Sequence, residues 1–326
     1  MCPEVSVVMS VFNGAQYLRE SIDSILQQRD VSLELIVVND GSSDNSAEIL
    51  IQFASSDPRV FVIQQQNAGL TASLIRGCQM AKGDFIARQD ADDISLPGRL
   101  SLQRDALRQD KSLVFISSSA QGIGPNSEML EVVHRPADPD VATHQLLFEK
   151  KGPPAHGTVM MCRAAYEAVG GYREEFYFAQ DSDLWLRLGR IGKLKYLPEV
   201  LYAWRVSPTG ISTTRQSLQW RFGDLGQACH AAVQRKESEA EFLQEAAELA
   251  FKIRSEKKQS STFDGKSAAW GYYRIGTTLA RQRDPRARSY FWQAVKAQPL
   301  HWRAWIRMLQ ASVAIRKSSE DGASHG

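Results

Sequence analysis

Short apolar runs recur along the first part of the chain: Val5 to Val11, Leu33 to Val38, Val60 to Ile63 and Phe85 to Ala87. Each is too uniformly apolar for a strand with one wet face, and buried strands of parallel sheets have this pattern. The intervening segments carry apolar residues at helical spacing: Leu18, Ile22, Ile25 and Leu26; then Ile49, Leu50 and Phe53; then Leu70, Leu74, Ile75 and Cys78. Strands alternating with helices predict an α/β fold with a doubly wound sheet flanked by helices. Ligands of such sheets bind at the carboxyl ends of the strands. Those ends are polar here, with Asn13 after the first run, Asp40 after the second, Asn67 after the third and Gln89-Asp90-Ala91-Asp92-Asp93 after the fourth.

Asp90, Asp92 and Asp93 crowd three carboxylates at one strand end, just before Pro97. Their repulsion calls for a positive partner, and a hard divalent cation with oxygen ligands fits. A solvated acidic turn is the alternative, and the other polar strand ends on the same rim argue against it. No Gly-x-Gly-x-x-Gly follows any strand, so the dinucleotide fingerprint is missing. Gly265-Lys266-Ser267 imitates the end of a P-loop, but Ser260 stands where that loop needs glycine. Phosphates without a glycine cradle must be held by a metal.

Beyond Pro97, Leu100 to Leu107 is amphipathic and Leu113 to Ile116 predicts a strand. Ser117 to Asp140 reads as loop or hairpin, and Pro154 to Arg163 as a turn and strand. A short helix then reaches Gly170-Gly171-Tyr172. The helix over Phe178 to Leu188 opens on Asp181 and Asp183, acids that its dipole would stabilise even without a catalytic role. After Thr214 the composition turns helical. The 326 residues allow one sizeable domain and a smaller one, and the net charge of +2 gives no pull towards nucleic acid. Cys2, Cys78, Cys162 and Cys229 are scattered without a Cys-x-x-Cys pair, which favours a reduced, cytoplasmic chain over a zinc site. No apolar run approaches the roughly 20 residues that span a bilayer, and Met1 runs almost directly into a strand without room for a signal peptide.

Five of these segments, in order, resemble glycosyltransferase family 2: Val5-Ser6-Val7-Val8-Met9-Ser10-Val11-Phe12-Asn13; Val37-Val38-Asn39-Asp40-Gly41-Ser42; Asn67-Ala68-Gly69-Leu70; Asp90-Ala91-Asp92-Asp93; and Gln180-Asp181-Ser182-Asp183-Leu184-Trp185-Leu186-Arg187. The resemblance implies an inverting, nucleotide-sugar-dependent enzyme with the GT-A fold, a doubly wound mixed sheet flanked by helices and followed here by a helical region. It implies a nucleotide site of Ser10, Phe12, Asn13, Asp40, Asn67, Asp90 and Ala91, with Asp40 reading a uracil-like base and Asp90 facing the ribose. Asp92 would bind Mg²⁺ or Mn²⁺ on the diphosphate of a UDP- or dTDP-linked donor. Asp181 would be general base towards a hydroxyl of a saccharide or lipid-linked saccharide, as in polysaccharide biosynthesis. Asp93, His156, Gly171, Gln180, Trp185 and Arg205 would line the donor-sugar or acceptor side, and Leu201 to Ser212 resembles a flexible segment closing over the donor. Gln180 replaces a frequent glutamate of the family and Ile75 a frequent asparagine. A sugar nucleotidyltransferase would carry a Gly-rich, Arg-containing loop in place of Ser10 to Gly14. A non-catalytic binding module would have no need to keep Asp40, Asp92 and Asp181 together.

The expected division is a catalytic domain over 1–214, a basic helical region over 215–317 and a disordered tail over 318–326. One stretch, Ala287 to Pro299, faintly resembles a single tetratricopeptide unit. Between Ala268 and Lys317 ten Lys and Arg face the single acid Asp284, interleaved with Trp270, Trp292, Trp302 and Trp305. Either the tryptophans pack helices together and the cations are solvated, or the region makes a peripheral contact with an anionic inner-membrane surface.

Overall fold

The computed structural model describes residues 2–208, 210–257 and 265–310. The 318–326 tail and most of the polar 259–266 segment lie outside them. The alternation runs β1 (Val5–Val11), α1 (Ala15–Leu26), β2 (Leu33–Asn39), α2 (Ser46–Ser56), β3 (Val60–Gln64), α3 (Leu70–Met80) and β4 (Phe85–Asp90). Then come β5 (Ile94–Ser95), α4 (Arg99–Gln109), β6 (Leu113–Ile123), β7 (Met129–Val133), α5 (Pro139–Glu149), β8 (Met160–Cys162), α6 (Arg163–Ala168), α7 (Gln180–Gly189) and β9 (Lys193–Arg205). The sheet order is β3-β2-β1-β4-β8-β6-β9-β5, with β7 paired to β6. β1 pairs in parallel with β2 and β4, and β2 with β3; β8 then runs antiparallel to both β4 and β6. The doubly wound half is therefore the N-terminal one, and the antiparallel additions make the sheet mixed.

β1 and β2 are buried almost throughout, as their unbroken apolar runs require. One face packs Val5, Val7 and Met9 with Leu18, Ile22 and Ile25 of α1. The other packs Val8, Ile86 and Met161 with Leu74 of α3 and Leu184 of α7. Period-two alternation thus divides each strand between two cores.

Two stretches depart from the sequence reading. β6 runs past the expected Leu113–Ile116 through Ser117, Ser118 and Ser119, all buried, and pairs with β7, so of the loop or hairpin expected from Ser117 the hairpin is formed. The serines pass as loop formers in the sequence, but Ser117 Oγ pairs with Thr158 Oγ1 at 2.7 Å and the strand continues. Leu201 to Arg205, expected to be part of a flexible closing segment, forms the end of the thirteen-residue strand β9, with Leu201, Tyr202 and Ala203 buried. Pro198 and Glu199 interrupt its alternation and conceal it.

The chain separates into two compact units that interleave in sequence instead of meeting at residue 214. The larger comprises 1–121, 132–204 and 218–258; the smaller comprises 122–131, 205–217 and 259–326. Within the larger, α9 (Gln216–Gln234) and α10 (Ala240–Lys257) bury Phe222, Leu225, Cys229, Ala246 and Ala250 with Phe176. Within the smaller, after α8 (Ile211–Thr214), α11 (Gly265–Arg281) and α12 (Ala287–Ala297) pack Ile275, Leu279, Tyr290 and Phe291 against Leu130. A further helix covers 302–310. Gly265-Lys266-Ser267 simply opens α11. The four cysteines are free thiols.

Candidate functional site

Strand register brings the polar ends together. Ser10 lies beside Val38 on one side and Asp90 on the other, Val11 beside Asn39, and Asn39 beside Gln64. Asn13 adopts φ 52°; its Oδ1 accepts from Ser43 N at 2.8 Å and its own N donates to Ser42 Oγ at 3.0 Å. Asp44 accepts from Ala15 N at 3.0 Å, satisfying the head of α1 and tying the loop after β1 to the loop after β2. Phe12 is half-exposed at the end of β1.

Asp40 is buried. Its Oδ1 accepts from Gln65 Nε2 and Ala68 N, both at 2.7 Å, and its Oδ2 from Gly69 N at 2.8 Å. Asn67 Nδ2 donates to the Asp40 carbonyl at 3.1 Å. A carboxylate offers about four acceptor positions. Gln65, Ala68 and Gly69 occupy three of these, two on Oδ1 and one on Oδ2, and hold the turn at the head of α3. Gly69 has φ 92°, and a Cβ there would lie 3.0 Å from the Tyr177 ring, so the turn needs glycine.

The counter-charge anticipated around the acidic stretch comes in part from the protein. Arg88, fully buried in β4, donates to Asp90 Oδ1, to the Gln89 carbonyl and, at 2.9 Å, to the Val8 carbonyl. Arg99, fully buried at the head of α4, donates to Gln89 Oε1 at 3.0 Å, Ser95 Oγ at 2.6 Å and the Arg88 carbonyl at 2.7 Å. Its guanidinium also lies 4.9 Å from the centre of the Tyr202 ring. Burial opposes both charges; Asp90 nevertheless holds Arg88 above its ordinary value, whereas Arg99 falls to about 10 and stays charged at neutral pH. The turn itself is fixed by Asp93 N to the Asp90 carbonyl at 3.3 Å, Gln89 Nε2 to the Asp93 carbonyl at 2.9 Å and Ser21 Oγ to the Asp90 carbonyl at 2.9 Å. Asp93 is buried, while Ala91 and Asp92 are partly exposed. Tyr202 Oη accepts from Asp90 N at 3.2 Å, and a Cβ on Gly157 would come within 1.8 Å of that hydroxyl.

Asp181 stands in the first turn of α7, its Oδ1 accepting from Ser182 N at 2.8 Å. Burial raises its pKa; the Ser182 amide opposes this, Asp90 raises it further and Arg88 lowers it. Asp90 and Asp181, far apart in the chain, therefore act in one electrostatic field. Asp183 serves the helix instead. It is buried and pairs with Arg187 at 2.6 Å and Arg173 at 3.5 Å, and these ion pairs hold α7 in place. His156 Nε2 lies 2.6 Å from Tyr172 Oη, and its ring meets Trp185 edge-on at 6.1 Å. Burial, then the Arg88 charge, keeps His156 well below the usual imidazole range and so neutral at physiological pH. Gly171 takes φ 67°, with a Cβ position 2.7 Å from the Tyr166 ring, so that Tyr172 can turn in. Gln180 and Trp185 are buried, Trp185 within the core that α7 shares with the sheet. Arg205 belongs to the smaller unit, where it donates to the Gly124 carbonyl and Ser127 Oγ, both at 3.1 Å.

Ser10, Asp40, Asp90, His156 and Asp181 are thus all carried by the larger unit, the last three within the field of Arg88. Arg88 and Arg99 were not singled out from the sequence, and Tyr202 was named only as part of the expected closing segment. A signal existed: Arg88 directly follows the apolar run Phe85 to Ala87 in a buried strand, and a buried cation requires a partner. Among the described residues no three His, Cys, Asp or Glu side chains converge as a complete metal cage.

A mixed sheet whose parallel half carries these polar strand ends, flanked by helices, is the GT-A class of fold, and it is the fold of S. aureus TarS 1–349. TarS superposes with a TM-score of 0.56 at 14% identity, covering 98% of this chain and 92% of that one. A model of the glycosyl transferase family 2 domain matches residues 6–170, half of the chain. The chain belongs to glycosyltransferase family 2. EpsE of Bacillus subtilis (strain 168), named a putative glycosyltransferase, is 37% identical over 213 residues, covering 61% of this chain and 72% of that one. The chondroitin synthase of Pasteurella multocida (strain Pm70) is 28% identical over 200 residues, and the match spans 61% of this chain but only 20% of the synthase.

Proposed function

We propose that the protein transfers a sugar from a nucleotide-sugar donor to a hydroxyl of a saccharide or lipid-linked saccharide, with inversion at the anomeric carbon. The acceptor oxygen bonds to that carbon as its bond to the diphosphate breaks, the electron pair leaves with the nucleoside diphosphate, and the hydroxyl proton passes to Asp181. The observation that carries this reading is the juxtaposition of Asp181 with Asp90. Burial first, and then the Asp90 charge, raise the proton affinity of Asp181 against the opposing Ser182 amide and Arg88, so the proposed base and the Asp90 turn share one field. Asp40 and the 67–69 turn hold the base, with Phe12 and Asn13 beside it.

Asp92 would hold Mg²⁺ or Mn²⁺. Asp92 is partly exposed on a turn whose backbone Gln89 and Ser21 hold, beside Asp90, which is bonded to Arg88. One or two carboxylates suffice for such an ion when substrate phosphates complete its shell. When bound, the ion would neutralise charge on the leaving diphosphate. TarS has a structure in complex with UDP-GlcNAc, so UDP-linked sugars are the first donors to test.

A thermal-shift screen of nucleotide sugars with and without Mn²⁺, followed by an assay of nucleoside diphosphate release, tests the proposal. The expected result is Mn²⁺-dependent stabilisation by one donor class, lost in Asp92→Ala. In Asp181→Asn, donor binding should persist and release should fall by about 10²–10⁴-fold. Stabilisation by no nucleotide sugar with either Mg²⁺ or Mn²⁺ would overturn the donor assignment; unchanged release in Asp181→Asn would remove the base.

A further inference from the structure

The smaller unit exposes apolar side chains on the side of a helix that would ordinarily be covered. In the 302–310 helix the inward positions are Ala304, fully buried with Ala294 and Val295 of α12, and Met308, which packs on the core around Phe291. Trp302, Trp305, Ile306 and Leu309 recur at i, i+3, i+4 and i+7, the spacing of a buried stripe. They are instead 63%, 41%, 46% and 63% exposed. The stripe continues onto α12, where Trp292, 43% exposed, meets Trp305 edge-on at 6.2 Å. Leu300, between the two helices, is 88% exposed.

Cations border this face. Arg303 lies 5.3 Å from the Trp302 ring and Lys296 5.6 Å from the Trp292 ring, and Arg288 and Arg307 are exposed. From Gly265 to Gln310 there are nine Lys and Arg against the single acid Asp284, which is itself paired with Arg286 at 2.6 Å. A second copy is a poor occupant, because a self-complementary interface would set these cations against themselves. An anionic bilayer surface satisfies both features at once: tryptophan rings settle at the headgroup level and flanking Lys and Arg reach lipid phosphates.

We infer that this face binds an anionic membrane surface, with Trp302, Trp305, Ile306 and Leu309 at the headgroup–acyl boundary and Lys296, Arg303 and Arg307 against phosphates. The inference does not depend on the transfer chemistry. Flotation of the full chain with phosphatidylglycerol–phosphatidylcholine vesicles, and with phosphatidylcholine alone, is the test. Binding is expected to the anionic vesicles at low salt and to weaken at high salt. Partitioning should fall by about tenfold or more in Arg303→Glu/Arg307→Glu and in Trp305→Gln/Leu309→Gln. Should either variant fail to fold, brominated-lipid quenching of tryptophan fluorescence in the wild-type chain gives the same answer. Absence of both flotation and quenching at low salt would overturn the inference. So would retained binding in both variants, or a concentration-dependent dimer that the same substitutions abolish.

Discussion

Replacing Arg88 by methionine tests whether the Asp90 turn and the proposed base, Asp181, share one charge balance. Methionine keeps much of the side chain's length and apolar contact but removes the donors to Asp90, Gln89 and Val8. Breaking a buried ion pair from one side costs about 3–5 kcal/mol. The Arg88 side chain is 1% exposed and that of Asp90 is 31% exposed, so water takes up part of the stranded carboxylate's charge. The lower end, about 3 kcal/mol, is therefore expected. At roughly 2 °C per kcal/mol for a large domain, Tm should fall by about 6 °C. The second readout is the pH profile of kcat/KM. Arg88 lowers the pKa of Asp181 and also neutralises Asp90, which raises it. Removing the guanidinium acts on Asp181 in the same direction through both routes, and the acid limb should move to higher pH. Arg88→Lys, which retains the charge without the fork, should restore most of the limb's position but less of the stability. An acid limb that stays in place or moves to lower pH in Arg88→Met would refute the coupling, whatever happens to Tm.

Further consequences concern the same side chains. Because the folded pKa of Asp181 is raised, the folded state binds its proton more tightly than the unfolded state, and stability falls as pH rises through that window. Asp181→Asn should therefore melt higher than wild type above the window and lose that advantage below it; equal melting at every pH would show that the carboxylate is unstrained. His156 has the opposite sign: neutral when folded, it makes the protein lose stability as pH falls below about 6.5, the unfolded value. His156→Gln, which can still reach Tyr172 Oη, should flatten the melting profile on the acid side, and an unchanged slope would place the loss elsewhere. Gly157→Ala puts a methyl within 1.8 Å of Tyr202 Oη and so displaces the hydroxyl that receives Asp90 N. It should cost about 1–3 kcal/mol and weaken donor binding, measured by Tm and by nucleotide titration; Tyr202→Phe/Gly157→Ala should recover part of the stability.

The parallel half of the fold was legible because physics leaves little choice there. A strand buried on both faces must be apolar throughout, and Val5 to Val11 and Leu33 to Val38 advertise it. β9 was not legible, because its partners are remote in sequence and Pro198 breaks the only local pattern it has. Ser117 to Ser119 concealed the length of β6 for a related reason: serine reads as loop, yet inside the sheet Ser117 Oγ pairs with Thr158 Oγ1 and Ser119 Oγ with His134 Nδ1. At the candidate site, strand ends and motif order singled out Asp40, Asp90, Asp92 and Asp181 as candidates. Their separate environments could not. Asp181 and Asp183 are nearly adjacent in sequence, but only the structure shows that one faces Asp90's field while the other is locked to Arg187 and Arg173.

Arg88 changes the meaning of the acidic stretch. Three carboxylates at a strand end need a counter-charge, and a bound cation is the economical inference when only the sequence is known. With a guanidinium beneath Asp90, the turn has its own cation before any ligand arrives, and Asp90 is oriented by it. In the proposed mechanism Asp92 would meet the ion and the diphosphate, on a turn that Gln89 and Ser21 hold by its backbone. Rigid support from buried partners is what a transition-state charge requires, since dipoles and ions that need not reorganise stabilise it most. The same guanidinium lowers the proton affinity of Asp181 against the opposing effects of burial and Asp90. A base that is too buried would be protonated at working pH, and one that is too well solvated would be a weak acceptor. Under the proposed mechanism Arg88 would therefore act on both halves of the reaction from one position in the core, and a substitution there should couple donor binding and base strength in a way that no single change at Asp92 or Asp181 can.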